Sequence, residues 1–283
     1  MPWFPEFVTA VELARKDARE AGHADPVAQY VRALQRGDAR ALETAWPGEV
    51  IIHDPRAGEV RGHRELRRFV RRSQSLLAEY RARVETVAAT RVDRRAVLEL
   101  LVHLTVDGRE VGWPTAIIAE SRDDRSAEFR SYFSQLPVYG QRRLRPAVLK
   151  PGNVHPGDVV GRHQAALETG DVETIVDTFE PDGYVREPIG DQYVHRGATE
   201  LRSFYARCFS AGGGIGLEHC TVTDDGGRCA VEFNCVRWGR YELAPQAGIV
   251  IYERGSLGLL AAVRVYDDLE APFASELAAP GHR

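Results

Sequence analysis

The chain states one pattern twice, and that repetition limits its fold more than any other feature. Val27-Ala-Gln-Tyr30-Val-Arg-Ala-Leu34-Gln-Arg-Gly37-Asp38 opens one half, and Val160-Gly-Arg-His163-Gln-Ala-Ala-Leu167-Glu-Thr-Gly170-Asp171 opens the other. Trp46 answers Phe179, Asp54-Pro55 answers Glu187-Pro188, and Arg61-Gly62-x-x-Glu65-Leu66-x-x-Phe69 answers Arg196-Gly197-x-x-Glu200-Leu201-x-x-Phe204. A unit this long is a duplicated domain, because solenoid repeats run to roughly 20–50 residues. The 283 residues, 43% apolar and 28% charged, hold two cores of ordinary domain size.

Each half has the same order of signals. In the first, helical spacing from Asp25 or Pro26 to Gln35 meets a Gly37-Asp38 break, where Asp38 can cap a short helix reaching Trp46. A strand over 49–54 ends at Asp-Pro, since the residue before proline is pushed to extended geometry. A third helix over 62–77 follows, with Leu66, Phe69 and Val70 on one stripe. Strand-like runs are then predicted at 81–90, 96–106, 110–119 and 127–133, and in the second half near 217–223, 229–238, 241–252 and 259–266. Helices first and long strands after argue an α+β class with a largely antiparallel sheet.

The expected boundaries are an extra N-terminal helix within 1–24, a first domain over 25–137, a linker over 138–156, a second domain over 157–270 and a tail over 271–283. The formal charge of −4 argues against nucleic acid or an anionic membrane as partner. Without a leader pattern or a long apolar run, a cytoplasmic location is expected. Cys208, Cys220, Cys229 and Cys235 all lie in the second half, so a disulfide framework common to both copies is excluded and free thiols are expected.

The series helix, Gly-Asp, helix, [Asp/Glu]-Pro-x-Gly, Arg-Gly-x-x-x-Leu-x-x-Phe-Tyr resembles ketosteroid isomerase, and with it the SnoaL-like polyketide cyclases of the nuclear-transport-factor-like superfamily. The resemblance is closest over 160–209 and implies two tandem cones, each a curved antiparallel or mixed sheet around three helices, packed as a pseudo-dimer. It also implies a carboxylate that moves a proton at carbon while neighbouring donors hold the enolate oxygen, the chemistry for which ketosteroid isomerase is itself a standard worked example. Carried over by position, the base falls on Asp54 and Glu187, and the tyrosine donor on Tyr30 and His163. A second pocket tyrosine falls on Tyr205 and, in the first copy, on Val70. The neutral aspartic donor falls near Ala116 and near Ala247 or Gly248, where no acid stands.

Trp46, Trp113, Phe179, Tyr184, Tyr205 and Trp238 are the candidate substrate-binding residues, each with a plain alternative as core. His53 should face away from Asp54 by strand alternation. The functional expectation is an isomerase or cyclase without cofactor or metal, acting on a hydrophobic polyketide-, terpenoid- or steroid-like molecule, as a monomer or homodimer. Because the copies differ at every donor position, one active and one degenerate copy, or two successive steps, are expected. Epoxide opening of the polyether type is the rival chemistry. It needs a second acid in one pocket, for which Glu79, Glu85 and Glu218 are candidates. A non-catalytic binding protein is the third reading.

Overall fold

The computed structural model describes residues 12, 16–17, 19–20 and 22–269. Most of the expected N-terminal helix and the whole tail lie outside the described residues. The chain forms two compact units. The first runs to Glu110 and takes up Ile117–Ser131, and the second takes Val111–Ala116 and runs on from Tyr132.

In the first repeat, α1 (Pro26–Arg36) starts where Asp25 accepts a hydrogen bond from the Ala28 amide at 3.1 Å, with proline in the first turn. It stops at Gly37, whose φ of 70° suits glycine. Asp38 then caps α2 (Ala39–Ala45) through the Arg40 amide at 3.1 Å. After β1 (Glu49–Asp54), β2 (Gly58–Arg61) and α3 (His63–Glu79) come the long strands β3 (Arg83–Val92), β4 (Arg95–Val106), β5 (Arg109–Ser121) and β6 (Ser126–Tyr132). Their order in the sheet is β2-β1-β6-β5-β4-β3, with β1 parallel to β6.

The second repeat follows the same plan. Short helix α4 (Leu136–Tyr139) precedes α5 (Asp158–Thr169), α6 (Val172–Val176), β7 (Phe179–Arg186), β8 (Val194–Arg196) and α7 (Gly197–Cys208). Strands β9 (Ile215–Asp224), β10 (Arg228–Trp238), β11 (Tyr241–Arg254) and β12 (Leu260–Tyr266) complete a sheet ordered β8-β7-β12-β11-β10-β9. Again the first long strand, β7, is parallel to the last, β12. The sheets are therefore mixed. β2 and β8, of four and three residues, fall in what the sequence presents as spacers.

Alternation places one face of each sheet on its helices. In the first repeat Tyr30 stacks on Phe129 at 4.5 Å, and Leu42, Trp46, Ile52 and Leu66 are buried with them. His53 turns to the other face, 3.3 Å from Glu128. That contact, together with Arg130 and Arg122, holds the Glu128 carboxyl at about 2 against the opposing effect of burial. The second core is built from residues such as Val160, Ile175, Leu201, Val231, Val250 and Val263. At roughly 1.5–3 kcal/mol per buried large apolar side chain, such cores are the main force closing each sheet over its helices.

Residues 140–156 do not run free between the units. Ala147 donates to Pro245 and Ala247 to Arg145, so this stretch pairs with the edge of β11, and Gly152 donates to His219. Among the described residues no helix is long and apolar enough to cross a membrane. All four cysteines are free.

Candidate active site

A cavity of about 370 Å³ opens between helices and sheet in the second repeat. Most of its wall is apolar, from residues such as Leu167, Phe204, Leu217, Phe233 and Trp238. Two acids break that wall, Glu187 and Asp267.

Parallel pairing brings them to one end. Val185 of β7 lies opposite Val263 of β12, and the strands run the same way, so the residues just past each strand emerge together. Glu187 is two residues beyond Val185 and Asp267 four beyond Val263, so both point to the helix face by the two-residue period. Asp267 thus sits one pleat, roughly 7 Å, further along than Glu187.

Burial pushes the Asp267 carboxyl up to about 7. The Leu269 amide at 3.1 Å and the Arg142 charge oppose the rise, while Asp268 and Glu187 add to it. At neutral pH this residue is therefore present in part as a carboxylic acid. It packs against Gly248, where an added Cβ would stand 3.1 Å from the Asp267 Cβ and 2.5 Å from a Phe233 ring carbon. An acid thus stands beside position 248, on the segment just past the neighbouring strand β12. Arg142, from the stretch expected to be only a linker, lines the same end and donates to the Leu269 carbonyl.

Glu187 is half-buried and accepts a hydrogen bond from His195 Nε2 at 2.7 Å. His163 is fully buried, and desolvation lowers its pKa to about 3, so it is neutral. Thr178 Oγ1 gives its proton to the Ile175 carbonyl at 2.5 Å, which leaves that oxygen to accept from His163 Nδ1 at 3.0 Å. His163 Nε2 is then an acceptor, 3.5 Å from the Tyr205 hydroxyl. In this tautomer the imidazole accepts a hydrogen bond from the Tyr205 hydroxyl, and its one N–H is spent on Thr178. Tyr205 and Tyr252 line the cavity, and burial raises both phenols further above their ordinary value. Trp238 forms wall and is pinned by its indole N–H on the Cys208 carbonyl at 2.8 Å. The Cys208 thiol, also lining the cavity, is driven up to about 12 by burial, which favours the protonated thiol at neutral pH.

Other expected residues lie elsewhere. Phe179 is core, edge-on to His163 at 5.5 Å. Tyr184 alternates with Val185 and faces away from the cavity, its ring under Arg196 and its hydroxyl accepting from Arg264. Trp113 is buried against Phe133 at 4.6 Å and donates to the Ser134 carbonyl. Trp46 is core beside His23. Glu79, Glu85 and Glu218 are exposed, and Glu85 is paired with His103. None of these three supplies the second acid.

The first repeat differs at each matching position. Asp54 is buried, but Oδ1 accepts from the Arg56 and Ala57 amides at 2.8 and 3.0 Å, so the carboxylate is turned onto its own loop. Tyr30 lies close enough for the Asp54 charge to raise its pKa, behind the larger effect of burial. Strand register sets Ile52 in the place of Val185 and Phe129 in that of Val263. By the same count Phe133 stands where the second repeat has Asp267. Opposite Ile52 on β2 is Val60, where His195 stands opposite Val185 on β8. Asp267 was missed in the sequence because Tyr-Asp-Asp at a strand end reads as surface charge, and His195 because three residues carry no strand signal.

The SnoaL-like domain family matches the chain twice, over residues 27–129 and 160–256. The chain belongs to the SnoaL-like family. Among solved structures, the family member described here is similar to an NTF-2 like protein of unknown function from Burkholderia xenovorans, at 19% identity over 44% of this chain and 93% of that one, TM-score 0.32. A protein with a ketosteroid isomerase-like fold from Catenulispora acidiphila is similar at 15% identity over 43% and 92%, TM-score 0.35. The epoxide hydrolase/cyclase-like enzyme SalBIII, which acts in pyran ring formation in the polyether salinomycin, is similar at 18% identity over 38% and 86%, TM-score 0.33. No curated protein matches the chain. Among the described residues no group of three or more His, Cys, Asp or Glu side chains is placed to hold a metal ion.

Proposed function

We propose that the second repeat is an acid/base isomerase or cyclase for an apolar, oxygen-bearing small molecule of polyketide, terpenoid or steroid type. The observation that carries this is the pairing, in one apolar cavity, of Glu187 with an Asp267 whose burial favours the protonated form. Glu187 takes a proton from a carbon beside a carbonyl, Asp267 donates a hydrogen bond to the enolate oxygen, and the same proton returns to another carbon. Preorganised donors of this kind contribute about 100- to 1,000-fold each.

Epoxide opening is the second reading, favoured by the same second acid. Asp267 would give its proton to the epoxide oxygen as the C–O bond breaks, and Glu187 would remove the proton of the hydroxyl that forms the new C–O bond. Proton exchange with water would then reset the pair.

A β,γ-unsaturated cyclohexenone followed by absorbance and an epoxy alcohol followed by chromatography separate the two chemistries. Glu187→Gln and Asp267→Asn are each expected to cut turnover of the responsive compound by roughly 100-fold or more. Full turnover in both variants would remove the acid/base assignment.

A further inference from the structure

We propose that His195 is the positioning residue for the Glu187 base, an inference that rests on the acid/base reading of that carboxylate. Glu187 begins the loop that leaves β7, and a glutamate there has more rotamers than an aspartate. Something must choose among them if one oxygen is to face the cavity. His195 does this from the neighbouring strand, its Nε2 2.7 Å from Oε1 of Glu187. That leaves Oε2 for a substrate proton.

The imidazole is itself fixed. It stacks on Phe204 of α7, with centroids 4.6 Å apart and planes 21° from parallel. Its backbone is set by antiparallel pairing of His195 with Val185, and the Glu187 amide donates to the Tyr193 carbonyl at 3.0 Å across the same loop. Base and partner are thus tied at both main chain and side chain. The Glu187 charge also reaches Cys208 of α7 and Asp267 after β12, and Arg142 and Arg207 line the same cavity. The first repeat has Val60 in the place of His195, and there the carboxylate of Asp54 is held by main-chain amides of its own turn.

Nitrobenzisoxazole tests this without the native substrate, because a carboxylate opens its ring by removing one carbon-bound proton and the phenolate product is coloured. Each variant is first checked for an unchanged melting temperature. His195→Ala is expected to lower kcat between about 10- and 100-fold, the effect of a misplaced reacting group, with KM within about twofold. His195→Gln, which keeps an N–H donor at that reach, is expected to recover most of the loss. Wild-type kcat in His195→Ala, with Glu187→Gln inactive, would overturn the positioning role and leave the base assigned. A glutamine variant as slow as the alanine variant would also overturn it. Wild-type kcat in Glu187→Gln would instead remove the base itself.

Discussion

On the proposed mechanism, the proton of Asp267 serves both turnover and stability. Its pKa is about 7 when folded, against about 3.9 for an unfolded aspartate. Below pH 4 both states carry the proton. As pH rises towards 7 the unfolded chain releases its proton and the folded chain does not, so folding stability falls across that window and levels off above it. The loss is on the order of 4 kcal/mol for a shift of this size. Melting temperatures measured from pH 4 to 8 should decline more steeply in wild type than in Asp267→Asn. Turnover that needs the protonated acid should fall over the upper part of the same range.

At this scale the sequence was uneven. Glu187, His163 and Tyr205 could be named because the family resemblance places them, Trp238 as an aromatic of a strand run, and all four line the cavity. Asp267 and Arg142 could not, since what distinguishes them is burial against Gly248 and the docking of a proline-rich stretch. Neither leaves a trace in local spacing. That His163 Nε2 accepts a hydrogen bond depends on Thr178, fifteen residues away, spending its own hydroxyl proton on a helix carbonyl.

Among the elements, the helices and long strands were legible because capping, glycine stops and periodicity are local. Asp171, for example, caps α6 through the Thr174 amide at 3.1 Å. The short strands β2 and β8 were not, because three or four residues become strand only by pairing with a neighbour. β11 carries a constraint that only packing reveals. Gly248 is buried with Phe233 across from it in register, and Asp267 beside it. Gly248→Ala is expected to destabilise the protein by about 1–3 kcal/mol through overpacking, and to slow turnover by displacing the acid. Chemical denaturation together with kcat checks both parts.

Taken whole, the molecule keeps one architecture in two chemical states. The second repeat holds the half-buried carboxylate of Glu187, the imidazole of His195 and the buried acid Asp267, and the first has Asp54, Val60 and Phe133 at the same positions. Loss of Asp54 should therefore be felt in folding rather than in catalysis. Asp54→Ala removes the acceptor of two loop amides and is expected to cost about 1–3 kcal/mol in urea unfolding. Its kcat should stay within twofold of wild type, in contrast to Glu187→Gln.

The family match to the second repeat ends at residue 256, and Asp267 and Arg142 both fall outside 160–256. The stretch that marks kinship thus holds Glu187 and His195 but not the buried acid that shares the cavity of Glu187. The positions of Phe133 and Asp267 both lie beyond the matched stretches, 27–129 and 160–256, so membership of the family does not by itself fix which residue stands there.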